Sequence, residues 1–105
     1  MSGGTFDYDQ FKIGKIADDI QNHLDRQGKL KDDVNDVYRR DFYAEYPEAK
    51  FYEIYQSEVQ EAMKAGINAL KIAEVYAHRI DYFLAGDDGD ENFLKRLQDE
   101  LNEIK

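Results

Sequence analysis

Apolar residues recur at helical spacing along most of this chain, and that period predicts an all-α fold. Ile13, Ile16, Ala17, Ile20 and Leu24 fall at i, i+3, i+4, i+7 and i+11, with Asp18, Asp19 and Gln21 on the other face. Gly28 marks the end of this first helix, and Arg26 in its last turn complements the helix dipole. Thr5 or Asp7 is placed to cap its start. Gly14 inside the pattern costs about 1 kcal/mol relative to alanine. That cost points to a close helix contact, or to a helix that begins only near residue 9.

Leu30, Val34, Val37, Tyr38 and Phe42 give a second, weaker helical stripe over 29–46, with Asp32 and Asp33 near its front. Pro47 ends any helix there, because it biases Tyr46 towards extended geometry. The same proline suits the first turn of a following helix, where Glu48 is favoured by the dipole. From 48 to 85 apolar positions continue at helical spacing with Gly66 as the only breaker. A single helix of that length spans about 55 Å, against a domain diameter of about 30 Å. Either it kinks or breaks near Lys64–Asn68, or it projects and pairs with another chain. Ala62, Ala65, Gly66, Ala69, Ala73 and Ala77 form a ridge of small residues that lets another helix approach closely, as a bundle seam or a dimer seam. Phe93, Leu94, Leu97, Leu101 and Ile104 are the apolar face of a last helix over 90–104. Asp88 with Glu91 three residues later resembles a capping box, and Asp90 competes as the N-cap. The expected architecture is a single helical domain over 1–105: a bundle of three or four helices with a long third one and a flexible start at 1–5.

Composition narrows the chemistry. The 105 residues have 42% hydrophobic and 13% aromatic content, enough for one folded domain. The absence of cysteine removes disulfides, thiol catalysis and thiolate metal sites. No apolar run reaches the length of a membrane span, and Met-Ser-Gly-Gly-Thr has neither a signal-peptide pattern nor a myristoylation glycine at position 2. The formal net charge of −9 argues against binding nucleic acid or an anionic membrane directly. It leaves open a cationic protein partner, or competition with nucleic acid for a basic groove. Residues 86–105 are the most lopsided, with seven acids against three bases.

Two stretches carry a resemblance. Met1-Ser2-Gly3-Gly4-Thr5-Phe6-Asp7-Tyr8 and Ile80-Asp81-Tyr82-Phe83-Leu84-Ala85-Gly86-Asp87-Asp88-Gly89-Asp90-Glu91-Asn92-Phe93-Leu94-Lys95-Arg96 together resemble a set of small, uncharacterised proteins encoded by bacteriophages and prophages. Members open Met-Ser-Gly-Gly-Ser-Phe-x-Tyr and close on an apolar stretch, Ser-Gly-Asp-x-Gly-Glu, then Phe and a following Arg. This chain departs at Thr5, Ala85 and Asp90, and the match covers about a quarter of it. The resemblance implies phage origin and carries no activity with it.

The candidate chemistry sits in two places. The turn Asp87-Asp88-Gly89-Asp90-Glu91 has carboxylates in the manner of a calcium loop, but its glycine comes too early and Gln98 stands where the bidentate glutamate belongs. Helix capping and a turn at Gly86 and Gly89 account for the same residues. Glu74, His78 and Asp81 have helical spacing for a divalent ion, a pattern that three exposed residues also give by chance; no metal is expected. Segment 42–55 holds six aromatics in 14 residues. These rings either close the core or form an interface, where tyrosine is favoured. Tyr43 or Tyr46 could stack a nucleobase beside the only adjacent arginine pair, Arg39 and Arg40. The residues expected to bind a ligand or partner are therefore Arg39, Arg40, Tyr43, Tyr46, Tyr52, Asp87, Asp88, Asp90 and Glu91, with no catalytic residue and no cofactor. The function expected is that of a non-enzymatic phage accessory protein binding a host or phage macromolecule. One form of it is inhibition of a host defence or nucleic-acid-processing factor through an acidic surface. The alternatives are an oligomeric sponge for a signalling nucleotide and a structural or assembly component of a phage. A protein partner, homo-oligomerisation and the cytoplasm of an infected or lysogenic bacterium complete the expectation.

Overall fold

The computed structural model describes residues 4–104. Its helices are α1 (Gln10–Asp25), α2 (Arg40–Glu45), α3 (Ser57–Leu84) and α4 (Asp90–Glu103), with a 3-10 turn at Pro47–Lys50. The fold is all-α with a long third helix, as the apolar period predicts. Met1–Gly3 of the N-terminal motif, and the expected flexibility of those residues, lie outside the described part. Gly4 and Thr5 do not fit that expectation, because their N–H groups are bonded to a buried carboxylate on α3.

Gln10, Ala17 and Leu24 recur every seven residues and are the buried positions of α1. They face α3 antiparallel: Gln10 meets Asp81 at one end, and Leu24 packs with Ile67 at the other. Ile20, Met63 and Leu70 flank this seam. Burial of a side chain such as Leu24 or Ile67 contributes about 1.5–3 kcal/mol each. Gly14 lies on the same seam, and a Cβ there would fall on the Glu74 carboxylate of α3. The glycine does mark a close helix contact. What it accommodates is the movable end of a side chain, so Gly14→Ala should push Glu74 outwards and gain helix propensity. We expect a rise in stability of up to about 1 kcal/mol, read as a higher urea midpoint with an unchanged slope.

α4 packs on α3 but not on α1, so α3 lies between them. The result is a layer one helix thick, with extents of 62 × 30 × 14 Å. α3 ends in a Schellman motif. Gly86 adopts φ +86°, its N–H donates to Phe83 O, and Asp87 N–H donates to Tyr82 O.

The long third helix is neither broken at 64–68 nor 38 residues long. It runs without a break through Gly66 and begins only at Ser57, which gives it a length of about 42 Å. The preceding strand-like stretch is held by another partner. Tyr52 N–H donates to Lys29 O, Lys31 N–H to Lys50 O and Gly28 N–H to Tyr52 O, around an isolated bridge between Leu30 and Phe51. Tyr55 N–H donates to Gln27 Oε1. These bonds tie residues 50–55 to residues 27–31 outside any α-helix. The weak stripe over 29–46 likewise yields only the six residues of α2. Asp36 bonds the N–H of Tyr38 two residues on, local chemistry that competes with a helix.

Candidate functional site

Residues 27–56 form an appendage at the end of the layer where α1 finishes and α3 begins. α2 and the 3-10 turn pack on each other and barely on the layer. Phe42, Tyr46 and Phe51, each about half exposed, line an open groove of about 490 Å³ with Ala49, and Lys31, Glu48 and Glu53 at its polar edge. The Phe42 and Tyr46 rings lie 5.3 Å apart. Neighbouring Val37, Tyr38 and Ile54 are 63%, 92% and 70% exposed, an uncommon amount of large apolar surface for so short a segment.

The expected tyrosines divide here. Tyr46 lines the groove. Tyr52 is half-buried and covered by the Arg26 guanidinium at 4.2 Å. Tyr43 is buried, so the expected stacking of a base on it is overturned: its ring closes the appendage and contacts Phe42 edge-on. Its hydroxyl donates to Asp33 Oδ1 at 2.7 Å. That bond, together with burial and the negative charge of Asp33, raises the phenol above its usual pKa. Arg39 pairs with the same Asp33 at 3.7 Å, while Arg40 is exposed at the start of α2. The adjacent arginines therefore do not converge on one anion together with the Tyr43 ring.

The acidic corner between α3 and α4 also differs from its expectation. Asp88 is not a cap. Gly89 occupies the N-cap of α4, with no side-chain capping bond. Asp88 is instead buried and accepts from Arg79 Nη1 at 3.3 Å and Arg96 Nη1 at 3.2 Å. Arg79 is itself buried, lies over the Tyr82 ring at 4.8 Å and reaches Glu100 of α4 at 3.6 Å. Asp88 is thus the pin between α3 and α4, and burial removes it from any partner surface. Asp87, Asp90 and Glu91 remain at the surface, the last two in the first turn of α4 where the dipole favours acids.

A third site went unread in the sequence. Asp81 is fully buried in α3. Its carboxylate accepts from the N–H groups of Gly4 at 3.0 Å, Thr5 at 2.6 Å and Phe6 at 3.2 Å, and from Gln10 Nε2 at 2.9 Å. Successive backbone N–H groups curled round an anion form a nest. Burial alone would raise this carboxyl's pKa, but the donors at Gly4, Phe6, Thr5 and Gln10 outweigh it and hold the pKa below the usual value. The turn that brings them round places Asp7 and Tyr8 at φ 56° and 62°, a conformation that costs a non-glycine residue about 1–3 kcal/mol. The two stretches that carry the phage resemblance therefore touch each other at Asp81. The signal available was an acid inside the apolar run Ile80–Leu84, with an arginine just before it.

Of the Glu74, His78 and Asp81 set, Glu74 lies on Gly14 and Asp81 is taken by the nest. The His78 ring sits against Phe11 and Tyr82. Among the described residues no group of three or more histidine or acidic side chains is placed to hold a metal ion, and no helix is long and apolar enough to cross a membrane. In comparisons with known proteins, no family model, no curated protein and no solved structure matches this chain.

Proposed function

We propose that the chain is a non-enzymatic accessory protein, of the phage type its two end motifs resemble, and that it binds another protein through the aromatic groove of residues 31–53. The observation that carries this reading is the exposure of Phe42, Tyr46 and Phe51 around one groove. Half-exposed aromatic rings flanked by charged groups are the usual anchors of protein recognition. The surroundings select the partner's charge. Between residues 31 and 53 there are seven acids against four bases, on a chain of net charge −9. A basic segment bearing one or two apolar anchors fits this surface, and one such target is the groove of a nucleic-acid-processing factor.

Affinity capture from bacterial lysate with the wild type, Tyr46→Ala and Phe51→Ala side by side tests the reading. The expected result is a partner bound by the wild type at low salt and weakened by added salt. Each groove variant should bind it about 30-fold more weakly. Equal binding by the wild type and both variants, or no partner at low salt, would overturn it.

A further inference from the structure

We infer that the α1–α3–α4 layer pairs face to face with a second copy of this chain, through the side of α3 that neither α1 nor α4 covers. With α1 along one edge of α3 and α4 along the other, the 100° step of the helix leaves Val59, Ala62, Ala69, Ala73, Ile80 and Leu84 on one open side. No charged residue falls on that side between Val59 and Leu84. Ile20 of α1 shares a cavity with Val59, Ala62 and Met63, and Leu94 of α4 shares one with Phe83. Ile20 thus extends the apolar surface on the α1 side, with Glu58 at the rim of its cavity, whereas the Leu94 cavity, which Asp90 also lines, lies at the α3–α4 seam. The opposite side of the layer is charged, with Lys15, Asp18, Lys71 and Glu74 round one cavity.

The area exposed is large enough for what a stable dimer covers. The chain exposes 7764 Å², whereas a monomer of 12.3 kDa exposes about 6,100 Å². The excess, about 1,700 Å² over the whole chain with the appendage of residues 27–56 included, leaves room for the contact that each partner of an obligate homodimer buries. A second copy is the occupant that fits. Among the described residues the layer buries only Ala17, Leu24 and Ile67 as its hydrophobic core. Its cover must therefore be present whenever the chain folds. A second identical layer makes the two-layer stack on which domains are built. A twofold axis sets each surface against itself, which a chain of net charge −9 tolerates only where the contact is uncharged. The alanines of this side let the two α3 helices approach closely. The inference is independent of what the aromatic groove binds.

Light scattering on the purified full chain should give twice the 12.3 kDa chain mass, with Ala73→Glu reducing it to one chain and Lys71→Glu on the opposite side leaving it doubled. Since Ala73→Glu could fail to fold, the dimer is also probed by cysteine placement, for which the chain provides a blank background. Ala69→Cys and Ala73→Cys should be joined between chains by a short bis-maleimide, and Lys71→Cys should not. A single-chain mass for the wild type overturns the inference. So does cross-linking at Lys71→Cys equal to that at Ala73→Cys, or a purified complex in which a different protein protects Ala73→Cys from the reagent.

Discussion

Asp88→Ala should lower the stability of this fold by about 3–5 kcal/mol, several times what a lost helix cap would cost. Asp88 and Arg79 are both buried, and their contact at 3.3 Å ties the end of α3 to the turn before α4. Arg96 reaches the second oxygen of Asp88 at 3.2 Å from a half-exposed position. Removing the carboxylate returns Arg96 to water at little cost. Arg79 has no such escape. Among the described residues its only other acid is Glu100 at 3.6 Å, and its Nε makes no hydrogen bond. The variant therefore buries a charge with one imperfect acid partner and the face of the Tyr82 ring. Two comparisons identify the mechanism. Asp90→Ala, in the exposed first turn of α4, should cost less than about 1 kcal/mol, the size of a dipole interaction. Arg79→Met combined with Asp88→Leu should recover most of the loss, because the burden lies in the orphaned charge and not in the absence of attraction. Urea unfolding of the four proteins at one fixed concentration gives the ranking. A cost for Asp88→Ala no larger than that for Asp90→Ala would return Asp88 to the role of an ordinary cap.

The helices that were legible are those whose apolar period is answered by a single neighbour. α4 spans 90–103 where the pattern runs 90–104, and α1 begins at Gln10, as the cost of Gly14 suggested. Gly86 was readable as a helix end because glycine takes positive φ without strain. Residues 48–56 were misread for a physical reason. Phe51, Ile54 and Tyr55 have helical spacing, but the period registers only which residues are apolar. The backbone of this stretch found its partners at Gln27, Gly28, Lys29 and Lys31, more than 18 residues earlier, and local sequence has no record of that.

The two central carboxylates were hidden for a related reason. Asp81 and Asp88 are acids in a chain rich in acids, where a solvated surface is the ordinary reading. Asp81 is buried only because residues 77, 76 and 75 positions away fold back onto it. Of the residues expected to bind, the structure leaves Tyr46 in an open groove and withdraws Tyr43 and Asp88 into the protein. Composition identified the aromatic segment, but which rings face outwards depends on Asp33 and Arg39 closing over Tyr43.

Asp81→Asn should detach the N-terminal segment from α3 while leaving most of the helical layer in place. Asparagine has nearly the shape of aspartate but only one accepting oxygen, and its amide would point a donor at the N–H groups of Gly4, Thr5 and Phe6. No rotation of the side chain satisfies three backbone donors and Gln10 at once. The left-handed residues Asp7 and Tyr8 then lose the contact that holds them, and the relief of their strain adds to the drive for release. Amide exchange at Thr5 and Phe6 should accelerate on the order of tenfold or more, with the helical content of the folded protein unchanged. The pH dependence provides a second signature. The pKa of Asp81 is lower in the folded chain than in the unfolded one, where it is about 3.9. The stability it contributes is therefore complete above that unfolded value and fades as pH falls through the folded one. Thermal unfolding of wild type and Asp81→Asn should differ by a constant amount from neutral pH down to about pH 5, and the gap should close as pH falls further, through the lower folded pKa. A gap that stays open in acid would mean that the substitution acts through packing in α3, and that the nest at Gly4–Phe6 is not held by the charge of Asp81.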